Sequence, residues 1–65
     1  MPSQYDSMTV NERLFVAGLL EQFDSAAKTR SKGKMIEILI QVNISPDEAA
    51  SIADKILAVP SQYGY

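Results

Sequence analysis

The fold class depends most on Met35-Ile36-Glu37-Ile38-Leu39-Ile40-Gln41-Val42-Asn43-Ile44, in the second half of a 65-residue chain. Its isoleucines and valine recur at every second position, which is the period of a strand and uses residues that strands favour. At a helical period, the same apolar side chains cover more than half of the surface of a helix, which is typical of a nearly buried helix. Periodicity alone therefore leaves two interpretations.

The neighbouring segments decide between a helix and a strand. Both neighbours have helical patterns, so a strand at residues 35–44 would have no partner within the chain, and its amides would pair with water or with another molecule. We therefore predict a helix over about residues 33–43. The strand interpretation holds only in a dimer whose two chains share a two-stranded ribbon.

The segment that follows contains strong signals for the start and the end of a helix. Ser45-Pro46-Asp47-Glu48 places a capping Ser, a Pro at the first helical position and a Glu three residues after the cap. Pro60 prevents the helix from continuing. These signals predict a helix over about residues 46–58.

The segment before residues 35–44 opens with a capping box. In Thr9-Val10-Asn11-Glu12, the Thr9 hydroxyl can accept a hydrogen bond from the Glu12 amide while the Glu12 carboxylate accepts one from the Thr9 amide. Apolar side chains then recur on one face as far as Ala27. We predict one long amphipathic helix over about residues 10–30.

Together, the three segments predict an all-α fold, a compact three-helix bundle with short ordered tails, in which residues 1–65 form a single helical domain. The apolar faces predict a core of Phe15, Val16, Leu19, Leu20, Phe23, Ile36, Leu39, Ile40, Ile52, Ile56 and Leu57. The string Pro-Ser-Gln-Tyr occurs at residues 2–5 and again at 60–63. Either the repeat is a coincidence between two turn-like tails, or both tails fold back and place Tyr5, Tyr63 and Tyr65 over the bundle.

Composition excludes several kinds of function. The chain has no Cys and no His. It therefore has no disulfide and lacks the typical zinc ligands. It also lacks His, which is the commonest general base in enzymes. The longest apolar run in the first helix, residues 14–20, has seven residues, whereas a membrane span needs about 20. We expect a cytoplasmic protein with no membrane partner, no metal or cofactor, no small-molecule substrate and no catalytic residue.

A second apolar stripe on the first helix, away from the predicted core face, is a candidate docking surface. It consists of Val10, Leu14 and Ala17, next to Gly18. Such a stripe can bind a helix of another protein or of a second copy of this chain. Alternatively, the N-terminal tail covers it with Tyr5 or Met8.

Four of the six basic residues lie within seven positions: Lys28, Arg30, Lys32 and Lys34. This basic cluster can contact an anion or a nucleic acid, or it can be a solvated loop that complements the negative end of the first helix. The third helix, which would be the recognition helix of a helix-turn-helix protein, carries Asp47, Glu48 and Asp54 against Lys55 alone. Phosphates would repel it, which argues against DNA binding.

Several short stretches over residues 11–65 resemble a group of short, uncharacterised bacterial helical proteins that end near a Tyr-Gly. Besides residues 35–44, they are Asn11-Glu12-Arg13-Leu14-Phe15, Phe23-Asp24, Ala53-Asp54-Lys55-Ile56-Leu57 and Pro60-Ser61-Gln62-Tyr63-Gly64. The resemblance implies a similar helical layout and a bacterial setting, with no associated activity or cofactor. We therefore predict a non-enzymatic protein–protein interaction or regulatory module. The alternative prediction is a nucleic-acid-binding regulator that uses the basic cluster.

Overall fold

The computed structural model describes Tyr5 and residues 7–64. This part of the chain is all-helical and contains no strand. Its radius of gyration, 11.2 Å, is close to the about 11 Å of a compact folded chain of this length. The elements are α1 (Val10–Ala17), α2 (Leu20–Lys28), α3 (Lys32–Gln41), α4 (Pro46–Ala58) and a 3₁₀ helix at Pro60–Tyr63.

The predicted long first helix is wrong, because the chain breaks it at Gly18 into α1 and α2. Gly18 has φ 72° and ψ 25°, which is the left-handed region. The Leu19 amide then donates to the Leu14 carbonyl at 2.9 Å, and the Gly18 amide donates to Phe15 at 3.1 Å. This pair of bonds is the Schellman motif, which ends a helix and turns the chain. The described residues therefore form four α-helices rather than three.

The same motif ends α2 and α3. Arg30 (φ 57°) and Asn43 (φ 66°) occupy the left-handed position. In each case the next residue closes the motif. The Ser31 amide donates to the Ala26 carbonyl at 2.8 Å, and the Ile44 amide donates to the Leu39 carbonyl at 3.1 Å. Tight turns of this kind satisfy the last carbonyls of a helix without a long loop.

The prediction of a helix rather than a strand in this stretch is confirmed for residues 35–41, and residues 42–44 form the turn that follows. Helix α3 ends at Gln41, two residues before the predicted end. It packs mainly against α4 and α2, and its Met35 and Leu39 side chains are fully buried. The strand interpretation, and with it the shared ribbon, is overturned for these residues.

The predicted helix starts at Thr9 and Ser45 are also confirmed. The Thr9 hydroxyl accepts a hydrogen bond from the Glu12 amide at 3.2 Å, and Glu12 Oε1 accepts one from the Thr9 amide at 3.3 Å, which completes the capping box. The Ser45 hydroxyl accepts from the Glu48 amide at 3.3 Å. Helix α4 covers the predicted residues 46–58.

The core lies between α2, α3 and α4, and α1 contributes one fully buried side chain to it. Three residues of the predicted core are exposed instead: Phe15, Val16 and Ile40. Leu19, Leu20, Ile36, Ile52 and Leu57 pack against the core while partly buried. The buried residues are Leu14, Phe23, Ala26, Ala27, Met35, Ile38, Leu39, Val42, Ile44, Ala49, Ala53 and Ile56.

The two copies of Pro-Ser-Gln-Tyr have different environments. Residues 60–63 form the 3₁₀ helix, which packs against α4 and leaves Tyr63 half-exposed. In the first copy, Tyr5 packs against the core, whereas residues 2–4 and the predicted lid residue Tyr65 lie outside the described residues. Within the described residues, no helix has the length and apolar character that crossing a bilayer requires.

We expect Gly18→Ala to lower the free energy of unfolding by about 1–2 kcal/mol, because an L side chain strains the left-handed region. The matched control is Gly33→Ala, since a Cβ at either position meets no atom within 4 Å and only Gly18 has a positive φ. The control should instead raise the free energy of unfolding by up to about 1 kcal/mol, because Ala has a higher helix propensity than Gly. Urea unfolding followed by circular dichroism measures both, and equal effects would contradict the turn at Gly18.

Candidate functional site

The face of α1 that was predicted to dock a partner points into the core. Leu14 is 0% exposed and belongs to the buried cluster, and Val10 packs against that cluster while partly buried. Ala17 is exposed at the end of the helix. The predicted exposed stripe of Val10, Leu14 and Ala17 is therefore wrong as a surface, because its central side chain is inside the protein.

The opposite face of α1, which was predicted to be core, is at the surface. The Phe15 side chain is 74% exposed and that of Val16 is 56% exposed. The two faces exchange roles because Gly18 turns the chain, so the side chains of α1 and α2 no longer follow one continuous helical period. The signal was in the sequence, since Gly is the residue that most readily takes the left-handed position at the end of a helix.

Phe15 and Val16 line an open groove of about 550 Å³, which we call the Phe15 groove. Large apolar or aromatic side chains remain exposed at five described positions, and the three at Phe15, Val16 and Tyr63 line this groove. A cluster of exposed apolar side chains indicates an interaction surface, whereas single ones are ordinary. The apolar lining consists of Met8, Phe15, Val16, Leu20 and Tyr63.

A second depression, of about 440 Å³, continues on the other side of Tyr63. Asn11 and Tyr63 line both spaces, so the two are adjacent. The second depression is mostly apolar, with Val10, Ile52 and Ile56 in its wall, and Lys55 at its edge. We call it the Ile52 depression.

Two carboxylates, those of Glu12 and Asp24, line the Phe15 groove. Glu12 is exposed and Asp24 is partly buried. None of the described residues lining this groove is basic. The combination of apolar and acidic side chains favours a ligand that is both apolar and cationic.

Arg13 holds α1 in the position that forms the groove. Its Nε donates to the Met8 carbonyl at 3.2 Å, and its Nη1 donates to the carbonyls of Val42 at 3.2 Å and Asn43 at 3.4 Å. These contacts fasten α1 to the turn that follows α3. Charged hydrogen bonds to helix-terminal carbonyls stabilise more than neutral ones, and sequence reasoning did not find this role of Arg13.

Half of the predicted basic cluster has structural contacts with α4. Arg30 Nη2 donates to the Leu57 carbonyl in the last turn of α4 at 3.3 Å. Lys32 Nζ lies 2.6 Å from Asp54 Oδ1, in an exposed ion pair. Arg30 therefore lies at the C-terminal end of α4, where the helix dipole is negative. Lys32 lies next to a carboxylate of the same helix.

The other two members of the cluster, Lys28 and Lys34, are exposed. They line different shallow depressions, which both also contain Glu21. The structure therefore does not bring Lys28, Arg30, Lys32 and Lys34 together around one concave site.

Among the described residues, no three carboxylates lie close enough together to hold a metal ion. Comparison of the chain with protein-family models, with curated proteins and with solved structures gives no match. The surface of the molecule itself therefore indicates the function, and its main feature is the Phe15 groove.

The exchange of the two faces of α1 predicts opposite sensitivities for neighbouring residues. Leu14→Ala should cost about 2–5 kcal/mol of unfolding free energy, because it removes methyl groups from the buried core. Phe15→Ala should change it by only about 0.5 kcal/mol, as is usual for an exposed position. Urea titrations of both variants test this, and a larger loss at Phe15 than at Leu14 would contradict the orientation of α1.

Proposed function

We propose that this chain is a small, non-enzymatic interaction module that binds another protein through the Phe15 groove. The observation that carries the proposal is the exposure of Phe15, at 74%, beside Val16 and Tyr63 in one groove. Leaving these side chains in water has a cost that a partner removes, and burying each one is worth about 1.5–3 kcal/mol.

The size of the chain supports a binding role. A standard protein–protein interface buries about 800 Å² on each partner, and the whole chain exposes 4356 Å². One such interface would therefore cover about a fifth of the surface, and the exposed side chains of Phe15, Val16 and Tyr63 would lie within it. A hydrophobic centre with a charged rim is the usual anatomy of such an interface.

The absence of an enzymatic role remains part of the proposal. The groove offers the carboxylates of Glu12 and Asp24 and the phenol of Tyr63, and the sequence has neither His nor Cys. Glu12 already accepts a hydrogen bond from the Thr9 amide in the capping box. An open groove with these groups excludes water poorly, whereas substrate sites are mostly enclosed.

The proposal places the module in the cytoplasm of a bacterial cell, among the short bacterial helical proteins that the sequence resembles. A regulatory role fits the same geometry, since a module that only binds can act by occupying a surface on its partner. The nucleic-acid alternative has less support, because Arg30 and Lys32 already contact α4.

Site-specific photo-crosslinking in the native host tests the proposal. A photoreactive phenylalanine analogue at position 15 should form an adduct with a second, different protein, because it lies in the groove. The same analogue at position 37, where Glu37 is exposed on α3 and outside the groove, should not form that adduct. No adduct at position 15, or the same adduct at both positions, would remove the proposal.

The nucleic-acid alternative has its own measurement. We expect no binding to duplex DNA or single-stranded RNA in about 50 mM salt, where phosphate contacts are strong. Fluorescence anisotropy with labelled oligonucleotides is the assay. Tight binding that weakens steeply as salt rises, and that Lys28→Ala together with Lys34→Ala abolishes, would establish the alternative instead.

A further inference from the structure

The shape of the groove specifies an elongated occupant. The Phe15 groove and the Ile52 depression share Asn11 and Tyr63, so a segment that passes Tyr63 can contact both. A small compact ligand would fill only one of the two spaces.

The elements around the groove favour a helix as that occupant. Its walls come from α1, the start of α2 and the 3₁₀ helix at Pro60–Tyr63, and the described residues contain no strand edge that an extended peptide could join. A helix satisfies its own backbone hydrogen bonds and presents apolar side chains at positions i, i+3, i+4 and i+7. An amphipathic helix can therefore lie along the groove without unpaired backbone groups.

The charges of the groove specify the polar side of that helix. Glu12 and Asp24 line the part that contains Phe15, and the described lining of that part has no Lys or Arg. Lys55 lines the Ile52 depression and not the Phe15 groove. A helix with basic side chains beside its apolar face is attracted at Glu12 and Asp24, whereas an acidic one is repelled.

A second copy of this chain fits these charges poorly. A symmetric dimer through the groove would bring the Glu12 and Asp24 side chains of both copies together, in a chain whose net charge is already −2. The basic cluster of a second copy does not supply the apolar part, because the exposed large apolar side chains lie elsewhere, at Phe15, Val16, Ile40, Val59 and Tyr63. The partner is therefore a different protein.

We infer that the Phe15 groove binds an amphipathic helix of another protein, with Lys or Arg side chains next to its apolar face. This inference rests on the proposed function and adds the chemistry of the partner to it. The apolar side chains of the partner helix pack on Phe15, Val16 and Tyr63, and its basic side chains lie over Glu12 and Asp24.

Selection from random peptides tests this chemistry without knowledge of the natural partner. The library displays peptides of about 14 residues, roughly four helical turns. It is first depleted on Phe15→Asp and then selected on the unmodified chain. The enriched peptides should combine apolar residues at i, i+3, i+4 and i+7 with Lys or Arg, and should bind with an affinity that falls as salt rises.

Two charge variants then locate the basic contact. Glu12→Gln removes the charge, and Gln can still serve in a capping box, so α1 should remain folded. It should weaken the selected peptide about two- to fivefold, as expected for one surface charge pair. Glu37→Gln changes the net charge equally but lies outside the groove, and should leave the dissociation constant unchanged.

Each other outcome overturns a defined part of the inference. Enriched peptides that lack basic residues, or equal effects of Glu12→Gln and Glu37→Gln, would reject the basic partner while a crosslink at position 15 still supports the proposed function. No enrichment, or peptides that bind Phe15→Asp and Val16→Asp as well as the unmodified chain, would reject the helical occupant. A mass that doubles with concentration in light scattering, and that Phe15→Asp keeps at the monomer value, would assign the groove to a second copy.

Discussion

The left-handed conformation of Gly18 decides how α1 meets the rest of the protein. Because a residue without a Cβ adopts this conformation at little cost, the chain can close a Schellman motif there and change direction between α1 and α2. The turn directs Leu14 into the core and leaves Phe15 and Val16 outside. The position of the candidate binding surface follows from this one backbone conformation.

The rest of the fold uses short turns and a small core. Arg30 and Asn43 take the left-handed position after α2 and α3, so each helix is followed closely by the next. Two arginines then join separate elements, Arg13 to the turn after α3 and Arg30 to the end of α4. A chain of this length buries only about 60% of its surface, and such ties between helices add to a limited hydrophobic core.

The small size of the core also explains why some apolar side chains remain at the surface. Once Leu14 occupies the core, an eight-residue helix such as α1 has no further face that packs inward, and Phe15, Val16 and Tyr63 surround a groove instead. The carboxylates of Glu12 and Asp24 also line this groove, and in the proposed function they favour a cationic partner. The groove therefore carries the proposed function, and two members of the basic cluster, Arg30 and Lys32, contact α4.

From the residues alone, the all-α class, the capped helix starts at Thr9 and Ser45 and the helical state of residues 35–41 could be predicted, because these depend on local hydrogen bonds and on the lack of a strand partner. The orientation of α1, the exposure of Ile40 and the contacts of Arg13, Arg30 and Lys32 depend on how the helices pack, and the sequence did not predict them. Helical periodicity relates side chains only within one unbroken helix. A Gly inside a helix costs only about 1 kcal/mol, so helix propensity alone does not determine whether the chain continues or turns at Gly18.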